Sequence, residues 1–312
     1  MTRLRTHAAA VLGATALTVA VTALPAQAMH TTADGSRPGC FKPAYIGAGA
    51  RGGEVRDTRD VSRSEQRAIA LRTDRILARK GYQAGTDAAA TIASASVPVY
   101  IHVMLDKNGN GNVTATQITN QIAELNQDFG GGESTAAANT GFTFYKAGVD
   151  RYYNSTWHAD RQSTTYRSKT RLGGANALNI WLVDFNYLGI ATFPWDYASN
   201  PKIDGIRVQY SSLPGGSITN YNEGKTATHE AGHWFGLYHT FQGGCTSTND
   251  EVADTPAQSS STSGCPTGRD SCSLPGLDPI NNYMDYSYDN CYNQYTPNQS
   301  SRISQMWTAY RG

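Results

Sequence analysis

THEAGHWFGLYHT occupies residues 228–240 and holds three of the seven histidines in the 312-residue chain. On an α-helix, His229 and His233 lie one above the other on a single face, close enough for both imidazoles to hold one metal ion. Glu230 follows the first of them. Its carboxylate reaches a water at that ion without itself being a ligand, which is the position a general base needs. Gly236 has no Cβ and lets the helix stop in a left-handed turn, after which the chain swings back and offers His239 as a third nitrogen. Three neutral imidazoles leave a fourth position open. An open position separates a catalytic zinc, whose bound water has a pKa of about 7, from a closed structural one.

A bare HExxH is a weak signal, because it arises by chance in many helices. The extended spacing HExxHxxGxxH with a later methionine turn is far more specific. With HEAGHWFGLYHTFQGGC at 229–245, DEVADTP at 250–256 and NYMDYSYDNC at 282–291, the chain resembles the pappalysin family of metzincin zinc endopeptidases over roughly residues 97–307. The resemblance implies an α+β zincin/metzincin fold, a twisted mixed sheet with an active-site helix and a loop-rich lower subdomain. It also implies that His229, His233 and His239 bind zinc and that Glu230 is the catalytic base. Met284 is then the hydrophobic base under the metal, and Tyr286 stabilises the transition state. The reaction implied is hydrolysis of peptide bonds in protein or peptide substrates by a zinc-activated water. A zinc-holding but inactive binding or adhesion protein on the same fold has no need of Glu230, which is intact. A thermolysin-like enzyme requires a downstream glutamate as third ligand, a role that Gly236 with His239 already fills.

The opening residues read as an export signal over 1–28. Arg3 and Arg5 form a basic start, residues 8–23 are apolar and small, and Ala26-Gln27-Ala28 supplies the cleavage pattern. No later stretch approaches the roughly 20 apolar residues of a membrane span, so a secreted, extracellular, monomeric protein without a membrane partner is expected. Residues 29–92 carry 11 Lys/Arg against 7 Asp/Glu, and residues 93–312 carry 13 against 18, giving nets of +4 and −5. The second part offers no basic stripe, which argues against nucleic acid as a partner.

The first part reads as a pro-segment at 29–92, with one polar helix near 62–79 and an alanine-rich linker at 81–96. The expected catalytic domain is 93–312. Cys40, the odd cysteine, could occupy the fourth zinc position as a latency switch, or remain a free or dimer-forming thiol. Cys245, Cys265, Cys272 and Cys291 follow the histidine motif in a loop-rich stretch that would benefit from cross-links. Three pairings are possible, and the absence of CxxC spacing disfavours a second zinc site. The resemblance to ulilysin-like members implies Cys245 with Cys272 and Cys265 with Cys291.

Strands are expected at 97–103, 142–145, 177–185, 190–193 and 205–210. Helices are expected from 118 to 129, where Ile118, Ile122, Leu125 and Phe129 share a face, at 164–171, and at 297–310. By family resemblance 190–193 is the edge strand above the cleft. DKNGNGNVTATQ at 106–117 mimics a calcium loop, but Gln117 replaces the bidentate glutamate. It reads as a turn with a Thr114–Gln117 capping box. Asp250, Glu251 and Asp254 form a hard-oxygen cluster, and together with the resemblance they make calcium a second candidate ion.

Overall fold

Alternation along the first strand sets the layers. In β1 (Ala95–Leu105) the residues Val97, Val99, Ile101, Val103 and Leu105 all enter one apolar core, and they are joined there by Leu178, Ile180 and Leu182 of β3 (Leu178–Val183). The intervening residues face the other way. Met104, Trp181 and Val183 form a second cluster with Tyr166, as the period of two requires. A sheet apolar on both faces needs cover on both. The computed structural model describes residues 58, 59, 61–82 and 93–312. The expected signal at 1–28 and Cys40 lie outside them.

The sheet has five strands in the order β2-β1-β3-β5-β4. The strand β2 (Phe142–Tyr153) pairs parallel to β1, β3 pairs parallel to β1, and β5 (Ile206–Gln209) pairs parallel to β3. Only β4 (Gly189–Ala191), an edge, runs antiparallel, to β5. The expected strand at 142–145 is eight residues too short. Its apolar alternation stops at Lys146, where a register shift between Val99 and Tyr100 leaves Ala147 opposite no residue of β1. The backbone pairing then resumes without a matching sequence pattern.

The main core is covered by α2 (Ala115–Phe129) and α5 (Lys225–Trp234), the second lying against β4 and β5. The helix α2 starts from the capping box, with Gln117 N donating to Thr114 Oγ1 at 3.1 Å and Thr114 N donating to Gln117 Oε1 at 3.0 Å. Two short helices, α3 (Ser155–His158) and α4 (Ser163–Thr170), cover the opposite face. The sequence placed the second of these but not the layer it builds.

The helix α1 (Arg63–Arg79) begins at the Ser62 cap and buries only Gln66, Ile69 and Thr73. It has no core of its own. Val61 and Ile69 join Phe193, Trp195, Tyr238 and Met306 in a small cluster, Arg59 pairs with Asp196 at 2.7 and 2.9 Å, and α1 packs on α6 (Pro297–Tyr310).

From 235 to 296 the described chain has no α-helix, only loops and one 3₁₀ turn at Asp289–Cys291. Disulfides join Cys245 to Cys272 and Cys265 to Cys291, with Cα separations of 5.4 and 5.9 Å. This is the pairing the resemblance implied. Each closes a loop of 27 or 26 residues in sequence separation, where little apolar burial holds the chain. Replacing Cys265 and Cys291 together by serine is expected to lower the unfolding free energy by about 2–4 kcal/mol, read from guanidinium unfolding. No change would mean that loop hydrogen bonds alone hold this segment.

Candidate active site

All ten residues of α5 are buried, which the sequence achieves with small residues on the sides that meet other elements. Gly232 is one. A Cβ there would stand 2.4 Å from Met284 Sδ and 3.0 Å from the Tyr295 hydroxyl, so the methionine presses directly on the helix backbone. Gly236 is the other, with φ +99°. Gly236 N donates to His233 O at 2.8 Å and Leu237 N to Gly232 O at 3.0 Å, the bond pattern of a Schellman stop. The turn then serves the site. Leu237 O accepts from His233 Nδ1 at 2.8 Å.

His229, His233 and His239 converge. His233 Nε2 is 3.2 Å from His229 Nε2 and 3.0 Å from His239 Nε2. A carbonyl can only accept, so Nδ1 carries the proton of His233, and likewise of His229, whose Nδ1 donates to Tyr283 O at 2.6 Å. Each Nε2 of these two therefore holds a bare lone pair. Lone pairs aimed at one point repel unless a cation lies between them. Ligands at 2.0–2.1 Å from a tetrahedral zinc stand about 3.3 Å apart, close to the spacings seen. The donor set and its dimensions fit zinc.

Glu230 is 2% exposed and lies under the edge strand. A Cβ on Gly189 would fall 2.3 Å from both Glu230 Cγ and Oε1, so any other residue at 189 would push the carboxylate aside. Tyr286 is half-buried. Its ring is 5.0 Å from that of His239, 5.6 Å from His229 and 5.1 Å from Phe241, and Phe241 stacks on His239 at 4.7 Å. Met284 is fully buried, and its carbonyl accepts from Thr240 N at 3.2 Å, which ties the chain after His239 to the methionine turn.

The structure brings the five named site residues to one place. It does not do so for the acidic cluster. Asp254 is occupied at the start of α6, accepting from Thr296 Oγ1 at 2.6 Å and Asn298 N at 2.9 Å. Glu251 is exposed. Asp250 Oδ1 accepts from Thr255 Oγ1 at 2.6 Å and Val252 N at 3.1 Å. Asp250 Oδ2 is buried without a hydrogen-bond partner, and burial pushes the carboxyl up to about 7. Among the described residues, the triads of potential metal ligands that converge are the three histidines and Glu124, Asp128 and Glu133.

Gly189 and Tyr283 are site residues that sequence reading missed. No signal marks a strand glycine as facing a carboxylate, and Tyr283 acts through its main chain.

Comparison with known proteins follows the same lines. The family model described as pregnancy-associated plasma protein-A matches residues 179–308. An extracellular metalloprotease of Neurospora crassa is 47% identical over 227 residues, covering 70% of this chain and 77% of that protein. One from Podospora anserina is 46% identical, covering 71% and 76%. Mature mirolysin of Tannerella forsythia, solved with a cleaved peptide, is 29% identical with a TM-score of 0.58 and covers 68% of this chain and 90% of its own. A mutant of its precursor, promirolysin, is 25% identical with a TM-score of 0.63 and covers 78% and 88%.

Gly189→Ala is expected to lower kcat/KM about 100-fold, because a displacement near 1 Å at a reacting group costs about that much. Metal content and thermal midpoint should stay near wild type, since only the Glu230 side chain has to move. Unchanged kcat/KM would show that β4 does not set the place of the carboxylate.

Proposed function

The chain belongs to the pregnancy-associated plasma protein-A (pappalysin) family of metalloproteases, and from that premise we propose how its residues carry out peptide-bond hydrolysis. It is a metalloendopeptidase. The observation that carries the site is the convergence of three imidazole Nε2 atoms beside a buried glutamate. In the proposed assignment His229, His233 and His239 hold zinc. Zinc bound there supplies a polarised water whose pKa is about 7 and an electrophile for the scissile carbonyl. Glu230 takes the proton of the attacking water and returns it to the nitrogen of the leaving amine. Its burial under Gly189 keeps it from solvent and aimed at one place. Tyr286, beside His229 and His239, donates from its hydroxyl to the developing oxyanion.

Substrate binding follows from the edge. The side of β4 turned away from β5 has no strand neighbour among the described residues. An extended peptide can add there and lie across the histidines. The cleaved peptide in mature mirolysin supports protein or peptide substrates for this chain as well.

Export and a precursor form part of the same reading, with a signal at 1–28, a pro-segment at 29–92 and a catalytic domain at 93–312. Relatives are named extracellular, and among the described residues no helix is long and apolar enough to cross a membrane. The precursor form of mirolysin covers 78% of this chain against 68% for the mature form, which supports a precursor for this chain as well. The lack of a basic stripe in residues 93–312 argues against nucleic acid, and a monomer acting on proteins or peptides completes the proposal.

Glu230→Ala is expected to keep stoichiometric zinc and lose about 10²–10⁴-fold in kcat on a denatured protein substrate, because the general base is gone. The variant should also accumulate with its N-terminus near Met29, while the wild type is trimmed to near Ala93, as intact masses would record. Wild-type turnover in the variant would sink the mechanism.

We propose one calcium ion at Asp250, supported by its buried and unmatched Oδ2. A proton retained because of the raised pKa is the competing account. Adding calcium to chelated, zinc-reconstituted protein should raise its thermal midpoint by several degrees, and Asp250→Asn should abolish the increase. A midpoint indifferent to calcium would leave the proton as the explanation.

A further inference from the structure

A deeply buried charge outside the histidine pocket lies at the opposite end of α5. Lys225, in its first turn, has a side chain 3% exposed. Its Nζ is 2.5 Å from Glu124 Oε1, 2.8 Å from Asp128 Oδ1 and 2.6 Å from Glu133 Oε2. The three carboxylates that could have held a metal already enclose a cation. Their charge exceeds what one ammonium cancels. Burial, only partly offset by Lys225, pushes Asp128 up to about 7. Burial also opposes the charge on Lys225, but Asp128 and the hydrogen bonds that Lys225 donates to all three carboxylates outweigh it and raise that pKa.

A buried ionic group of this kind is weak evidence for stability, since apolar replacements of similar volume often do as well or better. Its geometry points to another role, because what it grips is Tyr283. The Tyr283 hydroxyl stands 2.9 Å from Glu133 Oε2 and 3.1 Å from Asp128 Oδ1, and Lys225 Nζ is 5.5 Å from the ring centroid. Asp128 Oδ2 also accepts from Thr228 Oγ1 at 2.5 Å, on the residue before His229. The main-chain end of Tyr283 is the carbonyl that takes the Nδ1 proton of His229 at 2.6 Å. Met284 comes next in the chain. One tyrosine thus spans from the ionic cluster to a histidine of the metal pocket.

We infer that Lys225, Asp128 and Glu133 position His229 through Tyr283, fixing the carbonyl that sets the tautomer and ring angle of a metal ligand. Partners of this kind, hydrogen-bonded to a ligand, typically change metal affinity or activity about 10–100-fold when they are lost. The cluster acts on the metal without touching substrate, so its members are positioning residues. The inference rests on His229 being a metal ligand, as proposed above.

Tyr283→Phe removes the hydroxyl and keeps the ring and the carbonyl. It is expected to weaken zinc binding about 10–100-fold in chelator competition. It should also change the visible absorption spectrum of the cobalt-substituted protein and lower kcat with KM near wild type. Tyr166→Phe is the control. It loses a comparable buried hydroxyl contact, to Asp160 at 2.5 Å, in the cluster on the other face of the sheet. It should cost stability and leave zinc affinity and cobalt spectrum unchanged. If Tyr283→Phe fails to fold, Asp128→Asn is read the same way. Zinc affinity within two-fold of wild type and an unaltered cobalt spectrum would overturn the inference, whatever happens to the thermal midpoint. Failure of the wild type itself to bind zinc or cobalt would instead overturn the assignment of the histidines.

Discussion

Mutual repulsion between the imidazole lone pairs of His229 and His233, crowded further by His239, is the constraint from which the rest of this structure follows. His233 Nε2 lies 3.2 and 3.0 Å from its two neighbours, and carbonyls hold the protons of His229 and His233 on the far side of their rings. A cation between them would remove that repulsion. Without one, the surrounding chain has to impose the arrangement. The helix α5 imposes it from one side and the Schellman turn at Gly236 from another. The loop of residues 282–286 does so from below.

Close approach is the means, and glycine is what permits it. Gly232 lets Met284 press on the helix, and Gly189 lets the edge strand lie over Glu230. At Gly236 a Cβ would meet Met306 Cγ at 2.7 Å, so α6 also leans on this turn. Side chains at Gly232 or Gly236 would press on Met284 or Met306, and one at Gly189 would displace the Glu230 carboxylate. The same logic explains a helix buried on every side that contains so few large apolar residues. Its neighbours fill the space that it leaves.

Stability around the site comes from two different sources. The sheet and its two helical layers supply a large apolar core on both faces. The loops that carry His239 and the methionine turn have little of it, and they rely on two disulfides and on hydrogen-bonded side chains such as Gln258, which donates to Asp285 Oδ2 at 3.0 Å and accepts from Thr240 Oγ1 at 2.8 Å. A rigid upper layer and a stapled lower one meet at the histidines.

The sequence by itself determined the chemistry and the local turns that serve it. The spacing of His229, Glu230, His233, Gly236 and His239 follows from helix geometry and the conformational freedom of glycine, which act within a dozen residues and can be read without a fold. The capping box of α2 and the alternating strands are legible for the same reason, whereas the edge position of the strand at 190 came from the family resemblance. Only the tertiary structure decided what lies next to these residues. That Gly189 faces Glu230 and that Tyr283 offers its carbonyl to His229 depends on distances between segments 41 and 54 residues apart. A strand glycine or a buried tyrosine looks the same in sequence whatever it touches. The acidic stretch at Asp250 shows the converse. Three neighbouring carboxylates read in sequence as one ligand set, but the fold sends Asp254 to cap α6 and Glu251 to solvent and leaves Asp250 buried by itself. Proximity in sequence is kept by a helix, where each residue's direction is set by the last, and is lost in a loop, where long-range partners set it instead.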